Sequence, residues 1–356
     1  MTLVSICIPT YRQVEFLRQT LHSILAQDYS EYEIVVTDDS PDDCVENLVR
    51  SMDFGTRMRF FRNRTRLGAP ENWNEAARRA SGEYIKIMHH DDRFVSSRSL
   101  GTFVRLLDEH PEADFGFSAT RVENVVTGQT REHCITTNQL KRIVEFPEFL
   151  FTGNFIGAPS ATIYRRSIGL EYDREMQWLV DVDFYVRVLK QNSAVAFSPD
   201  ALIATTDGAE HQVTKYFAGN SGVELLEYAR LFRKISDRAT SCPEIDEVWD
   251  RLFDRYDIQF YYDFSRYGVT PRPTPAEYFK NLLRRRRRAS ESALKAELAS
   301  VRAELASVKA ELAAERELAK AQLTRLQRLR RSVAYLIEHP CAGALRIGRR
   351  VLRRSI

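Results

Sequence analysis

The chain has 356 residues, with 52 Lys and Arg against 49 Asp and Glu, for a formal charge of +3. That balance hides two unlike parts: residues 284–356 carry 19 basic and 7 acidic residues, a net +12, and residues 1–283 carry 33 and 42, a net −9. The whole chain is 44% hydrophobic and 11% aromatic, and the acidic part, through which the aromatics are spread, is too apolar for intrinsic disorder and long enough for one large domain or two half-domains around a continuous core. The five cysteines (Cys7, Cys44, Cys134, Cys242 and Cys341) are odd in number and contain no C-x-x-C pair. They argue against a disulfide scaffold or structural zinc and fit a reducing compartment. The first apolar run lacks the basic start of a signal peptide, and no window approaches the roughly 18 apolar residues of a membrane span. The expectation is a cytoplasmic protein able to lie peripherally on the inner face of a membrane.

The first ~95 residues alternate strand and helix signals. Leu3–Ile8 is a β-branched run closed by Pro9, and Phe16, Leu17, Leu21, Ile24 and Leu25 recur at helical spacing. Glu33–Thr37 is a second strand, cut off by Asp38-Asp39-Ser40-Pro41, and a helix pattern follows over Cys44–Met52. Met58–Phe61 is a third strand, Glu71–Ala80 a helix ended by Ser81-Gly82, and Glu83–Met88 a fourth strand running into His89-His90-Asp91-Asp92. This alternation predicts a parallel, doubly wound sheet, whose ligands bind at the carboxyl ends of the strands. Thr10-Tyr11, Asp38-Asp39 and His89–Asp92 sit at those ends. Beyond them, Ser99–Glu109 reads as a helix, Phe115–Val122 as a strand, and 153–160 as a Gly-rich loop leading to a strand over Ala161–Tyr164. Helical patterns resume over Asp181–Leu189 and Ser221–Ile235, and a helix-rich closing region is expected to end at Pro271–Pro275.

The tail differs in kind. Arg284–Arg288 is an unbroken arginine run, and Ala296–Arg302, Ala303–Lys309 and Ala310–Arg316 form a seven-residue repeat. Leu298, Val301, Leu305, Val308 and Leu312 follow the alternating three- and four-residue steps of a coiled-coil seam, which weakens at Glu315 and Gln322 and returns at Leu326, Leu329 and Val333. Leu345–Ile356, with five arginines among apolar residues, reads as a short basic amphipathic helix.

Several polar clusters invite both a chemical and a plain structural reading. Asp38-Asp39 could accept hydrogen bonds from a nucleobase or ribose, or could form an ordinary Asp/Ser/Pro turn. His89–Asp92 offers carboxylate and imidazole to a divalent cation, or a solvated acidic turn opening a helix near Ser96. Asp181 and Asp183 open a helix, where acids also match the dipole, and a shielded carboxylate there could serve as a general base. His211 lies in a polar loop. No P-loop, no G-x-G-x-x-G after a strand and no G-x-S-x-G elbow is present, so nucleotide hydrolysis of that type, dinucleotide oxidoreduction and serine hydrolysis lose support.

Taken together, Val4–Tyr11, Glu15–Gln27, Tyr32–Ser40, Leu67–Asn74, Ala80–Ile85 and Met88–Asp92 resemble the family 2 glycosyltransferases in order and spacing. The match is specific over about the first hundred residues, looser to about residue 215, and absent from the tail. The resemblance implies a GT-A (Rossmann-like) α/β fold with a mostly parallel sheet flanked by helices. It implies inverting transfer of a sugar from a nucleoside diphosphate sugar to a glycan or lipid-linked hydroxyl, as in cell-surface polysaccharide or lipopolysaccharide synthesis. By that resemblance Pro9, Thr10, Tyr11, Asp38, Asp39, Asn74, His89 and His90 would line the nucleotide-sugar site. Asp91, at the metal position of a D-x-D motif here changed to H-x-D, would hold Mg²⁺ or Mn²⁺ with His211, and Asp181 would be the catalytic base although Val180 replaces the usual preceding glutamate.

The expected organisation is then a nucleotide-sugar half over 1–115, an acceptor half with closing helices over 116–283, an Arg-rich hinge and coiled coil over 284–335, and a basic tail over 336–356. Homo-oligomers through 291–333 and an anionic membrane surface are the expected partners of the tail, and nothing in the body suggests nucleic-acid readout. The competing readings are an inactive GT-A-like scaffold acting through its coiled coil, and a sugar-phosphate nucleotidyltransferase. The latter usually wants a Gly-rich basic loop that Pro9–Gln13 does not supply.

Overall fold

All seven residues of β1 (Val4–Thr10) are buried, as a strand covered on both faces must be. The computed structural model describes residues 3–212, 220–240, 242–269 and 273–339. After β1 come α1 (Val14–Leu25), β2 (Tyr32–Asp38), α2 (Cys44–Arg50), β3 (Met58–Arg62), α3 (Ala69–Arg79) and β4 (Tyr84–Ile87). The strands align side by side as β3-β2-β1-β4, every neighbouring pair parallel. Gly82, between α3 and β4, permits the closest approach: a Cβ there would sit 2.7 Å from the Leu3 carbonyl and the Ser5 amide. A side chain would therefore push β4 off β1.

The period of two along each strand feeds two cores. Val4, Ile6 and Ile8 of β1 and Ile34 and Val36 of β2 pack on one face with Leu17, Leu21 and Ile24 of α1. Cys7 and Val35 point the other way, into a larger core shared with Ala76 of α3.

Next follow β5 (Arg93–Phe94), α4 (Ser99–Asp108), β6 (Phe115–Asn124), β7 (Thr130–His133), α5 (Thr137–Glu145), β8 (Thr162–Arg165), α6 (Val180–Gln191), β9 (Val195–Asp207), α7 (Ser221–Ala239), α8 (Pro243–Arg255) and α9 (Pro273–Glu338). The sheet continues β4-β8-β6-β9-β5, with β7 on the outer part of β6. Here it is mixed: β8 runs antiparallel to both β4 and β6, whereas β6 and β9 are parallel. The parallel expectation thus describes the first four strands, and the second half adds antiparallel pairs. Helices α6, α7 and α8 and the start of α9 cover this half, with Phe184, Phe232, Trp249 and Phe279 among the buried aromatics.

The closing region does not end at the prolines. Pro273 and Pro275 stand in the first turn of α9, where proline is tolerated because those amides have no intrahelical partner. Phe279, Leu282 and Leu283 of that helix are buried in the larger core. By its contacts the chain divides between Leu283 and Arg284. The second unit, over its described residues, is the remainder of α9, which passes unbroken through Arg284–Arg288 where the arginine run suggested a hinge. Its apolar residues from Leu294 to Val333 are all exposed. The basic segment 345–356 lies outside the described residues.

Candidate active site

The carboxyl ends of β1 and β2 meet because their register pairs Thr10 with Asp38. Thr10 Oγ1 donates to Asp38 Oδ1 at 3.0 Å, and Ser40 donates its amide (3.0 Å) and hydroxyl (2.6 Å) to the same oxygen. Asp38 Oδ2 is buried with no partner among the described residues. Asp39 faces the loop after β3: its Oδ1 accepts from Asn63 Nδ2 (2.8 Å) and the Leu67 amide (3.0 Å), and its Oδ2 from the Gly68 amide (2.9 Å). A carboxylate has about four acceptor positions, so Oδ2 retains one for an incoming N–H or O–H. The turn from β1 to α1 is unusual in that Arg12 and Gln13 are both left-handed, at φ 58° and 54°. The Arg12 amide is held by Ser40 Oγ at 2.7 Å. Tyr11 lies there with the guanidinium carbons of Arg66 and Arg12 4.2 and 5.3 Å from its ring centre. Such strain in non-glycine backbone persists where surrounding contacts over-determine it, commonly at ligand sites.

The loop after β4 carries the second cluster. Thr20 of α1 donates to the carbonyls of His90 (2.9 Å) and Asp92 (2.7 Å), and Ser160 Oγ accepts from the His89 amide at 2.9 Å. Thr206, near the end of β9, donates its hydroxyl to the Asp91 carbonyl and its amide to Asp92 Oδ1 (3.2 Å). The backbone is thus fixed from three sides while the side chains turn inward. His211 Nε2 lies 2.9 Å from Asp91 Oδ2. Burial opposes the Asp91 charge, but the His211 hydrogen bond and the nearby His90 and His89 rings outweigh it and hold this carboxyl below its usual range. Asp92, buried beside Asp91, is pushed upward. Burial drives His89 down to about 4, and drives Lys86, on β4 beneath the loop, down to about 7 against the pull of Asp92.

These groups fit a divalent cation. His90, Asp91 and His211 offer ligand atoms within 4.8 Å of one another, as do His89, Asp91 and Asp92. Nε2 of both His89 and His90 is buried without a hydrogen-bond partner among the described residues. A mixed imidazole–carboxylate set suits Mn²⁺ better than Mg²⁺, which prefers oxygen.

Asp181 stands in the first turn of α6, in different surroundings. It lines a cavity of about 230 Å³ with Asn154, Phe151, Trp178, Leu179 and Tyr228. The Val182 amide donates to Oδ1 (2.8 Å) and Asn154 Nδ2 to Oδ2 (2.7 Å). Burial nevertheless pushes the carboxyl up to about 7, helped by the charge of Glu227, with both donors acting the other way. Asp183, in the same helical turn, is ion-paired with Arg187 (2.8 Å) and Lys234 (2.6 Å).

Four positioning residues carry no local signal in the sequence. Glu227 of α7, 2% exposed, accepts the consecutive amides of Gln177 (2.6 Å), Trp178 (2.9 Å) and Leu179 (2.8 Å), and so holds the entry to α6. Asn154 ties Asp181 to Gly157, whose amide it also accepts at 2.9 Å. Ser160 and Thr206 steady the His-rich loop. The Gly-rich segment 153–160 therefore contacts both Asp181 and the His89 backbone. Asn74, expected at the nucleotide-sugar site, has its amide paired elsewhere: Oδ1 accepts the Tyr172 amide (2.7 Å) and Nδ2 donates to the Tyr172 carbonyl (2.9 Å).

Comparison with known proteins agrees with this architecture. The model of glycosyl transferase family 2 matches residues 5–171, from β1 past β8. An uncharacterized protein of Mycobacterium tuberculosis is 32% identical over 235 residues, covering 62% of this chain and 72% of that one. The GalNAc(5)-diNAcBac-PP-undecaprenol β-1,3-glucosyltransferase of Campylobacter jejuni is 29% identical over 115 residues, 32% of this chain and 37% of its own. Among solved structures, S. aureus TarS 1-349 in complex with UDP-GlcNAc superposes with a TM-score of 0.54 at 18% identity, covering 79% of each chain. That likeness bears on the GT-A fold. With the matched segment running through β1, β2 and β4 and the strand-end clusters they carry, the chain belongs to the family 2 glycosyltransferases.

Proposed function

We propose that the chain moves a sugar from a nucleoside diphosphate sugar to a hydroxyl of a glycan or lipid-linked acceptor, inverting the anomeric centre, with Asp181 as base. The observation that carries this is Asp181 itself. Its carboxyl titrates near 7, is anchored by two N–H donors, and borders a cavity walled by Trp178 and Tyr228. A base poised near the working pH accepts a proton while remaining ionised often enough to act. Aromatic walls suit the apolar face of a sugar ring.

Asp91, His90 and His211 would hold Mn²⁺ or Mg²⁺, which when bound neutralises the departing diphosphate. Pro9, Thr10, Tyr11, Asp38 and Asp39 form the nucleotide side, where the free acceptor position on Asp39 suits a base or ribose donor. Asn74 acts by positioning Tyr172. The UDP-GlcNAc bound to TarS supports this donor class, and the undecaprenol-linked substrate in the name of the C. jejuni relative supports a lipid-linked acceptor. No helix among the described residues is long and apolar enough to cross a membrane. The exposed apolar seam supports self-association through 291–333, and the arginine-rich tail supports a peripheral place on an anionic membrane surface.

Calorimetry with UDP- and GDP-sugars, with and without Mn²⁺, tests the reading. Cation-dependent donor binding in the wild type, lost in Asp91→Ala, is expected. Absence of nucleotide binding under both conditions would leave a scaffold in place of an enzyme.

A further inference from the structure

The exposed seam of α9 carries more than a propensity to associate. In heptad terms Leu298, Leu305 and Leu312 occupy a, and Val301 and Val308 occupy d; each is roughly half or more exposed on an isolated helix. Over the three repeats the flanking positions are sorted by charge, whereas farther on Leu318 and Leu323 are neutral and Arg325 and Arg330 are alike. The three g positions are Glu297, Glu304 and Glu311, and the e positions five residues after them are Arg302, Lys309 and Arg316. In a parallel pair, g of one helix faces the following e of its partner, so all three contacts join unlike charges. In an antiparallel pair, g faces g and e faces e, so every flanking contact joins like charges. The e and g positions set partner and orientation in this way.

The core residues bear on strand number. β-Branched residues at a with leucine at d favour two strands, whereas leucine at a with a β-branched residue at d shifts the preference to larger bundles. From Leu298 to Leu312, where the seam is unbroken, the order is Leu at a and Val at d, and this stretch carries the argument for strand number. The seam is interrupted by Glu315 and Gln322 at d and resumes in the same frame at Leu326, Leu329 and Val333, so one alignment serves its whole length.

We infer that residues 291–333 of several copies of this chain form a parallel, in-register bundle of more than two strands. The occupant of the exposed seam is the same segment of other copies, named by the complementarity of its own e and g charges. The inference deepens the self-association proposed above by giving it a direction and a minimum number. A parallel bundle brings the Arg284 ends of all copies together, which raises the local concentration of whatever is tethered there.

Light scattering on the full chain is expected to give a mass above twice the 41.2 kDa of one chain. The triple variant Glu297→Lys, Glu304→Lys, Glu311→Lys, which sets like charges at every flanking contact, should lower that mass. Orientation is read separately with Val301→Cys: mild oxidation should join two copies of this variant through the introduced thiols, seen on a non-reducing gel with the wild type as control for the native cysteines. Position 301 lies well off the midpoint of the seam, so an antiparallel pair keeps the two thiols apart. A single-chain mass overturns self-association altogether. A two-chain mass, or no crosslink in an assembled Val301→Cys sample, overturns this inference alone. Donor calorimetry on the same samples reports on the enzymatic reading independently.

Discussion

Two carboxylates at opposite sides of the Gly-rich segment, Asp91 and Asp181, are driven to opposite protonation behaviour by their neighbours. Both are largely surrounded by protein. Asp91 faces three imidazoles and hydrogen-bonds one of them, which favours its charge. Asp181 faces aromatic and aliphatic walls with a second acid nearby, and its two N–H donors offset burial only in part. Residue type therefore says little about role here. A permanently ionised carboxylate among imidazoles suits a cation, and one that titrates near neutrality suits proton transfer.

The largest expected effect follows from breaking that division. Asp181→Asn keeps the size of the side chain and removes its basicity. Transfer should fall by about 10²–10⁴-fold in kcat, the usual range for a positioned base, with donor affinity by calorimetry unchanged. The wild-type pH profile supplies the sign. The base works when deprotonated, so transfer rises with pH through an acid limb near 7 and falls below it. A profile flat from pH 5 to 8 would remove Asp181 from the proton-transfer role.

A smaller effect sharpens the comparison. Glu227 raises the Asp181 carboxyl through its charge and also accepts three backbone amides ahead of α6. Glu227→Gln removes the charge and keeps one acceptor. The acid limb should move to lower pH, because the neighbouring negative charge no longer opposes ionisation of Asp181. A purely structural role would change stability and leave the limb where it is.

The first four strands were legible because each is a short apolar run ended by polar residues, and the parallel register then sets those ends side by side: Thr10 beside Asp38 is a consequence of strand alignment. The geometry around the His-rich loop and Asp181 was less so. The 13-residue β9 has no clean alternation, since Ser198, Pro199 and Asp200 fall where its register with β6 shifts. It nonetheless delivers Thr206 to the His-rich loop, more than a hundred residues away in sequence. Glu227 reads as one acid in an amphipathic helix; only tertiary packing brings it to amides 48 to 50 residues upstream. The two-sided nature of Asp181 and Asp183 was equally hidden. Both sit in the first turn of α6, and only the presence of Arg187 and Lys234 beside one of them separates an ion-paired acid from a buried one whose carboxyl is pushed upward.

Asn74 gives the smallest effect and a direct contrast between touching a substrate and shaping its site. Its amide closes two hydrogen bonds on the backbone of Tyr172, which is 2% exposed and whose ring lies 5.1 Å from Trp73, itself 4.8 Å from His89. Asn74→Ala leaves the buried Tyr172 amide and carbonyl without that partner, and unsatisfied groups of this kind cost about 1–3 kcal/mol. The denaturation midpoint should fall accordingly while donor affinity remains as in the wild type. The reverse result, unchanged stability with weakened donor binding, would mean that the Asn74 amide leaves Tyr172 when the donor arrives and belongs to the nucleotide-sugar site after all.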